Sequence, residues 1–239
     1  MELHVYETLP STNRTAHEAA RSGAQEFYTV IAKEQIAGRG RLDRSFHSPL
    51  GGTYFSTVLR PTVPITQYGT ITPVAAVAVH RALHALTGVC TEIKWINDLL
   101  LDGKKVCGIL AESGVDQKGE PFVILGVGVN TADVLFPTEL QGQAAFIPYQ
   151  DPIALVQAIL SELAAYEQTI RNGGWLDYYR SHCCFLGKSV TVIGRDQVRS
   201  AIALDILADG ALRVDLGNGE QEELRGGEIS IRSAQFRKI

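Results

Sequence analysis

Hydrophobic and polar positions divide the chain into two textures. Up to about residue 185 they run in helix and strand spacings by turns; beyond it only alternation remains. Leu3 and Val5 begin a short strand, and Ser11 or Thr12 caps a helix from Asn13 to Ser22 that stops at Gly23. Phe27–Lys33 and Thr53–Leu59 read as strands, the second ended by Pro61. Between them, residues 36–52 are rich in glycine and arginine and read as a long loop. The apolar run from Thr72 to Leu86 predicts a buried helix. Three strands follow over Glu92–Ile96, Lys105–Glu112 and Phe122–Val129, with Asp102-Gly103 turning the chain between the first two. Residues 131–150 carry no period and hold Pro137 and Pro148, so they read as loop. Asp151-Pro152 then caps a helix whose face is Val156, Ile159, Leu163, Tyr166 and Ile170. A last helix is predicted over Trp175–Phe185.

After Gly187 the apolar positions fall at Val190 and Val192, Ile202 to Ile206, Leu212 to Leu216, and Ile229 and Ile231. Asp209-Gly210 and Asn218-Gly219 are hairpin signals. Short strands at this spacing predict a small β-barrel. The division is therefore 1–185 and 186–239.

Composition narrows the partners. The chain has 239 residues, 45% of them hydrophobic and 20% charged, with a net charge of −4. Such a chain is a poor bulk binder of nucleic acid, whose affinity rests on phosphate neutralisation, so basic chemistry has to be local. Met1 to Tyr6 is charged and opens no secretory signal. No apolar run reaches the roughly eighteen residues of a membrane span. Cys90, Cys107, Cys183 and Cys184 have no metal spacing and read as reduced thiols of a cytoplasmic protein.

Local chemistry concentrates in four places. Gln35-Ile36-Ala37-Gly38-Arg39-Gly40-Arg41 combines glycines, which let backbone amides approach an anion, with fork-shaped cations. It equally fits a solvated loop or an RNA contact. Lys94-Trp95-Ile96-Asn97-Asp98 precedes Lys105, and a hairpin would bring Asn97, Asp98 and Lys105 together. Gly126-Val127-Gly128-Val129-Asn130 ends a strand; without a third glycine and a following helix it is no dinucleotide fingerprint. Ser11-Thr12-Asn13 opens the first helix. Gly187-Lys188-Ser189 imitates the end of a P-loop, but His182 stands where its first glycine belongs. His80 and His84 lack the glutamate and third ligand of a zinc site and read as structural.

Taken in order and spacing, these motifs, with Lys105-x-x-Gly108-Ile109-Leu110, resemble the biotin–protein ligase family from residue 11 to about 130. The C-terminal β-module also resembles that family's SH3-like domain. The resemblance implies an α+β fold: a mixed β-sheet backed by helices, of the class II synthetase-like biotin/lipoate ligase type, followed by an SH3-like barrel. It implies ATP and Mg²⁺ as cofactors, biotin as substrate, and the biotin carboxyl carrier protein of a biotin-dependent carboxylase as partner.

The resemblance also assigns residues. Ser11, Thr12, Asn13 and Gln35 would address biotin's ureido ring, with Gly38, Gly40, Gly108, Gly126 and Gly128 shaping the pocket. Arg39, Arg41 and Lys105 would face the biotin carboxylate and the phosphates. Phe46, Lys94, Trp95, Asn97 and Asn130 would attend the nucleotide. Asp98 would serve Mg²⁺ and help the acceptor lysine lose its proton. The physics agrees: a carboxylate must meet the α-phosphate of ATP, and fixed cations offset that repulsion. A urea offers one acceptor and two donors, which hydroxyls and an amide match and lipoate would leave unpaired.

The chain departs from the family pattern where Asp43 and Phe46 stand in place of glycine and tryptophan. Some members carry an N-terminal operator-binding winged helix; here the Ser-Thr-Asn motif begins at residue 11, so no DNA binding is expected. A monomer or a homodimer is expected. Two rivals remain: a lipoate ligase of the same fold, and an RNA-binding module built on the glycine-arginine loop. The acidic balance and the lack of stacking aromatics beside Arg39 and Arg41 oppose the second.

Overall fold

Strand β1 (Glu2–Leu9), helix α1 (Thr12–Arg21) and strand β2 (Tyr28–Gln35) form one β-α-β unit, because β1 and β2 pair in parallel and a parallel pair needs a crossover. The computed structural model describes residues 1–41, 44–134, 136–193, 198–217, 219–225 and 230–233. Strands β3 (Thr53–Leu59), β4 (Glu92–Lys94), β5 (Asp98–Leu101), β6 (Lys104–Val115) and β7 (Pro121–Val129) complete a seven-stranded mixed sheet in the order β1-β2-β3-β7-β6-β5-β4.

Side chains alternate across this sheet, and each face has its own cover. On one face Val30, Val58, Phe122 and Ile124 pack against Ala16 and Ala20 of α1. The other face carries Ile31, Phe55, Leu59, Val123 and Leu125, which join a larger core with helices α2 (Ile71–Thr87), α3 (Pro152–Leu163), α4 (Tyr166–Asn172) and α5 (Leu176–His182). Helix α2 is buried along most of its length and ends at Gly88, whose φ of 69° is the left-handed conformation a helix stop favours.

Helix α1 covers only part of its face. On the uncovered part the outward positions of β7 and β6 are Gly126, Gly128 and Gly108, with Gly108 opposite Gly128. Ten residues of helix reach about 15 Å at 1.5 Å per residue. The sheet face beyond that reach has backbone where side chains would stand, and this opens a cleft.

Three predicted elements are corrected. The strand placed over Glu92–Ile96 stops at Lys94, turns through Trp95 to Asn97, and resumes as β5, so Asp102-Gly103 joins β5 to β6. The helix from Pro152 to Ile170 breaks at Ala164-Ala165, yet Tyr166 and Ile170 continue onto the same core, so the apolar period does not reveal the break. The helix predicted over Trp175–Phe185 is shorter, Leu176–His182. At the start of α1, Ser11 occupies the cap position, but its hydroxyl bonds no helix amide.

The C-terminal strands β8 (Ser189–Ile193), β9 (Val198–Ile206), β10 (Leu212–Asp215), β11 (Gln221–Leu224) and β12 (Ser230–Ser233) form one antiparallel sheet, ordered β11-β10-β9-β8-β12. The Asp209-Gly210 hairpin lies between β9 and β10 as expected, with Gly210 at φ 84°. Asn218 and Ile229, also used as signals, lie outside the described residues. The core does not stop at residue 186: Val190, Ala203, Ile206 and Leu212 belong to the same cluster as α2 and α5. Arg180 of α5 forks onto Asp205 at 2.8 Å and onto the Ile206 carbonyl.

Candidate active site

The cleft on the glycine face has a neutral end and a charged end. At the neutral end Thr12 and Asn13, in the first turn of α1, point at the sheet and are buried. The Gln35 carboxamide oxygen accepts from the Thr12 amide at 2.8 Å and its hydroxyl at 3.1 Å, while Gln35 Nε2 donates to Ser48 Oγ. Ser56 Oγ, fully buried on β3, lies 2.7 Å from Thr12 Oγ1 and 2.6 Å from Asn13 Oδ1. A Cβ on Gly126 would overlap the Asn13 carboxamide, so glycine is required there.

The described parts of the glycine-arginine loop, residues 36–41 and 44–52, fold back over the glycines. Phe46 N donates to the Gly38 carbonyl and Gly40 N to the Arg44 carbonyl, at 2.9 and 2.7 Å. Arg39 and Ser45 bridge in between. A Cβ on Gly38 would overlap Phe46 O and Ser48 Oγ. The Phe46 ring lies over Gly108 and Gly128, 5.6 Å from Lys105 Nζ. Asp43 lies outside the described residues.

At the charged end the β5–β6 hairpin sets Lys105 Nζ 2.7 Å from Asp98 Oδ1. Arg41 reaches across from the loop and donates to Asn97 Oδ1 at 3.0 Å, while Asn97 Nδ2 is held by the Ile109 carbonyl. Burial lowers the Arg41 guanidinium from its ordinary value and Asp98 opposes that effect; an arginine stays charged throughout. Arg39 turns the other way and pairs with Glu112 at 3.0 Å, beside Asn13 of the neutral end. The cleft encloses about 170 Å³ and opens to solvent along its mouth.

Most residues named from the sequence line this cleft, including Ser11, Gly40, Lys94 and Trp95. Two do not. Gly38 shapes the loop, and Asn130 ties the following loop to the sheet: its Nδ2 donates to Ala145 O at 2.9 Å and its carbonyl accepts from Ile147 N. Trp95 lines the wall but is buried, and its indole donates to Gly210 O of the C-terminal module at 2.8 Å. Asn13 lines the neutral end with both ends of its amide engaged, by Ser56 and Glu112. Arg44, three residues beyond Arg41 and given no role from the sequence, also lines the cleft, while the sequence reading missed Ser45, which lines it too, and Glu112 beside it. Period-two alternation from Gly108 through Leu110 would have found Glu112.

The thiols and histidines stand apart from this chemistry. Cys107 is fully buried and its thiol is pushed up, and burial holds Cys184 up to about 12, so neither is a ready nucleophile. Cys90 is exposed. His80 is bonded to Thr91 O and Tyr178 Oη, a structural role. Among the described residues no helix is long and apolar enough to cross a membrane.

Residues 5–130 match the model of the biotin/lipoate A/B protein ligase family. The chain belongs to that family. Residues 185–232 also match the biotin protein ligase C-terminal domain. Among curated members of the biotin/lipoate ligase family, the biotin–[acetyl-CoA-carboxylase] ligase of Mycobacterium tuberculosis is 32% identical over 95% of this chain and 88% of its own length. The bifunctional ligase/repressor BirA of Bacillus subtilis is 42% identical, but over 58% of this chain and 44% of its own length. The chain thus spans less than half of that relative. In fold, the family's Aquifex aeolicus biotin protein ligase, solved with biotin and ATP, superposes with a TM-score of 0.81 over 98% of this chain and 99% of its own, at 23% identity.

Proposed function

We propose that this chain is a cytoplasmic biotin–protein ligase. It activates biotin with ATP to biotinyl-5'-AMP and passes the biotinyl group to one lysine of a biotin carboxyl carrier protein. The observation that carries this reading is the polarity of the cleft: a neutral end matched to a urea and a cationic end matched to a carboxylate and phosphates, over one glycine floor. The relatives' names support biotin as the acid and the carboxylase carrier as the acceptor.

In the first step a biotin carboxylate oxygen attacks the α-phosphorus of ATP, and the bond to pyrophosphate breaks. Lys105, Arg39 and Arg41 offset the repulsion of two anions and the charge that develops on the leaving group. Thr12 and Gln35 fix the ureido ring. In the second step an amine attacks the acyl carbon and AMP leaves. A lysine near pKa 10.4 is protonated at neutral pH, and the Asp98 carboxylate takes its proton. Asp98 also fits Mg²⁺: its Oδ1 is buried and meets Lys105 without hydrogen-bond geometry. Asp98 is the residue that would hold Mg²⁺, which would supply charge neutralisation at the phosphates. Residues 1–185 serve as the catalytic unit and 186–239 as the accessory module, which steadies the Lys94–Asp98 turn through Trp95.

The test is transfer itself. The purified chain is incubated with ATP, Mg²⁺, biotin and a carrier domain, and the carrier is weighed intact. One biotinyl group on one lysine is expected, with lipoate giving none. A carrier that gains lipoyl and not biotinyl would overturn the reading.

A further inference from the structure

Glu112 has no part in the roles assigned so far. It follows Gly108 and Leu110 in the row of β6 that faces the cleft, one position beyond the lining. Its Oε1 meets Arg39 Nη2 at 3.0 Å and its Oε2 lies 3.5 Å from Arg39 Nη1, so one carboxylate faces one guanidinium at two points. On its other side Oε2 accepts from Asn13 Nδ2 at 2.8 Å. Asn13 is itself fixed by Ser56, and both are buried. The carboxylate is therefore anchored to the rigid sheet: its side chain is 28% exposed, against 51% for Arg39.

We propose that Glu112 is a positioning residue for adenylation, acting through Arg39; this rests on the ligase reading above. Arg39 stands between Gly38 and Gly40 on a loop, where a long side chain has many rotamers to lose. The two-point contact fixes its direction as well as its distance, before any ligand arrives. Glutamine cannot take the place of Glu112. If its oxygen keeps the Asn13 bond, its amide nitrogen faces a guanidinium that only donates. A half-exposed ion pair adds little to folding, so Glu112 aligns rather than supports.

The test is a double-mutant cycle in biotin-dependent pyrophosphate release, with biotin affinity and thermal midpoint measured beside it. Glu112→Gln lowers kcat about tenfold, as loss of an aligned charged contact does. It leaves the thermal midpoint unchanged and biotin affinity within about twofold. Arg39→Ala lowers kcat further, and the double mutant is no slower than Arg39→Ala alone. Multiplying effects would overturn the proposal, since Glu112 would then act apart from Arg39. So would weakened biotin binding at normal kcat, which would make Glu112 a prop of the Asn13 wall. Should Glu112→Gln lose its fold, Arg39→Lys decides: it keeps the charge and loses the fork, and wild-type kcat in that variant would overturn the role. A wild-type chain inert toward biotin and ATP overturns the ligase reading itself, and this role with it.

Discussion

The two ends of the cleft are held by different means. At the Gln35 end, Thr12, Asn13 and Ser56 are buried and neutral and bond one another in a closed set. At the Arg41 end, Lys105 and Asp98 are partly exposed ions that pair across the β5–β6 hairpin; Arg39 and Glu112, also partly exposed, pair farther along β6, beside Asn13. The neutral end is part of the fold, so its geometry depends on the core behind it. The charged end is held by contacts worth little in stability, which a ligand's own charges can replace. Substitutions at the charged end should therefore change chemistry and spare folding, while those at the neutral end should change both.

The largest effect is expected at Lys105. Lys105→Ala removes a cation from the developing charge, and pyrophosphate release should fall about a hundredfold to a thousandfold, as when a transition-state donor is lost. Its melting temperature should match the wild type. Near-normal release by the folded variant would remove Lys105 from the mechanism.

Next comes Arg41. Biotinyl-AMP is a reactive anhydride with one phosphate charge, and Arg41 reaches from the loop to Asn97 across the charged end. A charged hydrogen bond contributes roughly 1.5–3 kcal/mol, so Arg41→Gly should release the adenylate about ten to a hundred times faster. Biotin incorporation into a bystander protein, compared at matched pyrophosphate release, reads this directly. Unchanged bystander labelling would mean that another group retains the intermediate.

The smallest effect tests the neutral end. A Cβ at Gly126 overlaps the Asn13 carboxamide, so Gly126→Ala should destabilise the protein by about 1–3 kcal/mol, as overpacking does. It should also weaken biotin binding. Thermal melting and titration give the two numbers. A variant that melts normally yet loses biotin would show that the neutral end is separable from the fold.

The sequence carried this polarity unevenly. Glycine-arginine spacing and the Lys94–Asp98 turn declare the charged end, because ions and glycines are conspicuous in a chain of ordinary composition. The neutral end is harder to see. Ser56 lies in a strand whose threonines and tyrosine look like simple β-formers, and only the register with β7 brings it to Asn13. Strand β5 was hidden because Trp95 and Ile96 read as a continuation of β4, while Trp95 in fact turns away to meet Gly210. Helix α1 was legible, but Ser11 looked like a cap by type and bonds no helix amide. Contacts between distant segments, such as Arg180 with Asp205, leave no local pattern to read.

The central claim is that one cleft joins a urea-matched end to an anion-matched end. Pyrophosphate release from ATP, measured with biotin, with lipoate and with no acid, tests it most directly. On the proposed reading the ureido ring would exchange hydrogen bonds with Thr12 and Gln35 that lipoate cannot offer, and a site built for such bonds rejects an analogue lacking them by about 10⁴. The account predicts rapid release with biotin and near-background release with lipoate. Equal release with both acids, or with neither, would contradict it.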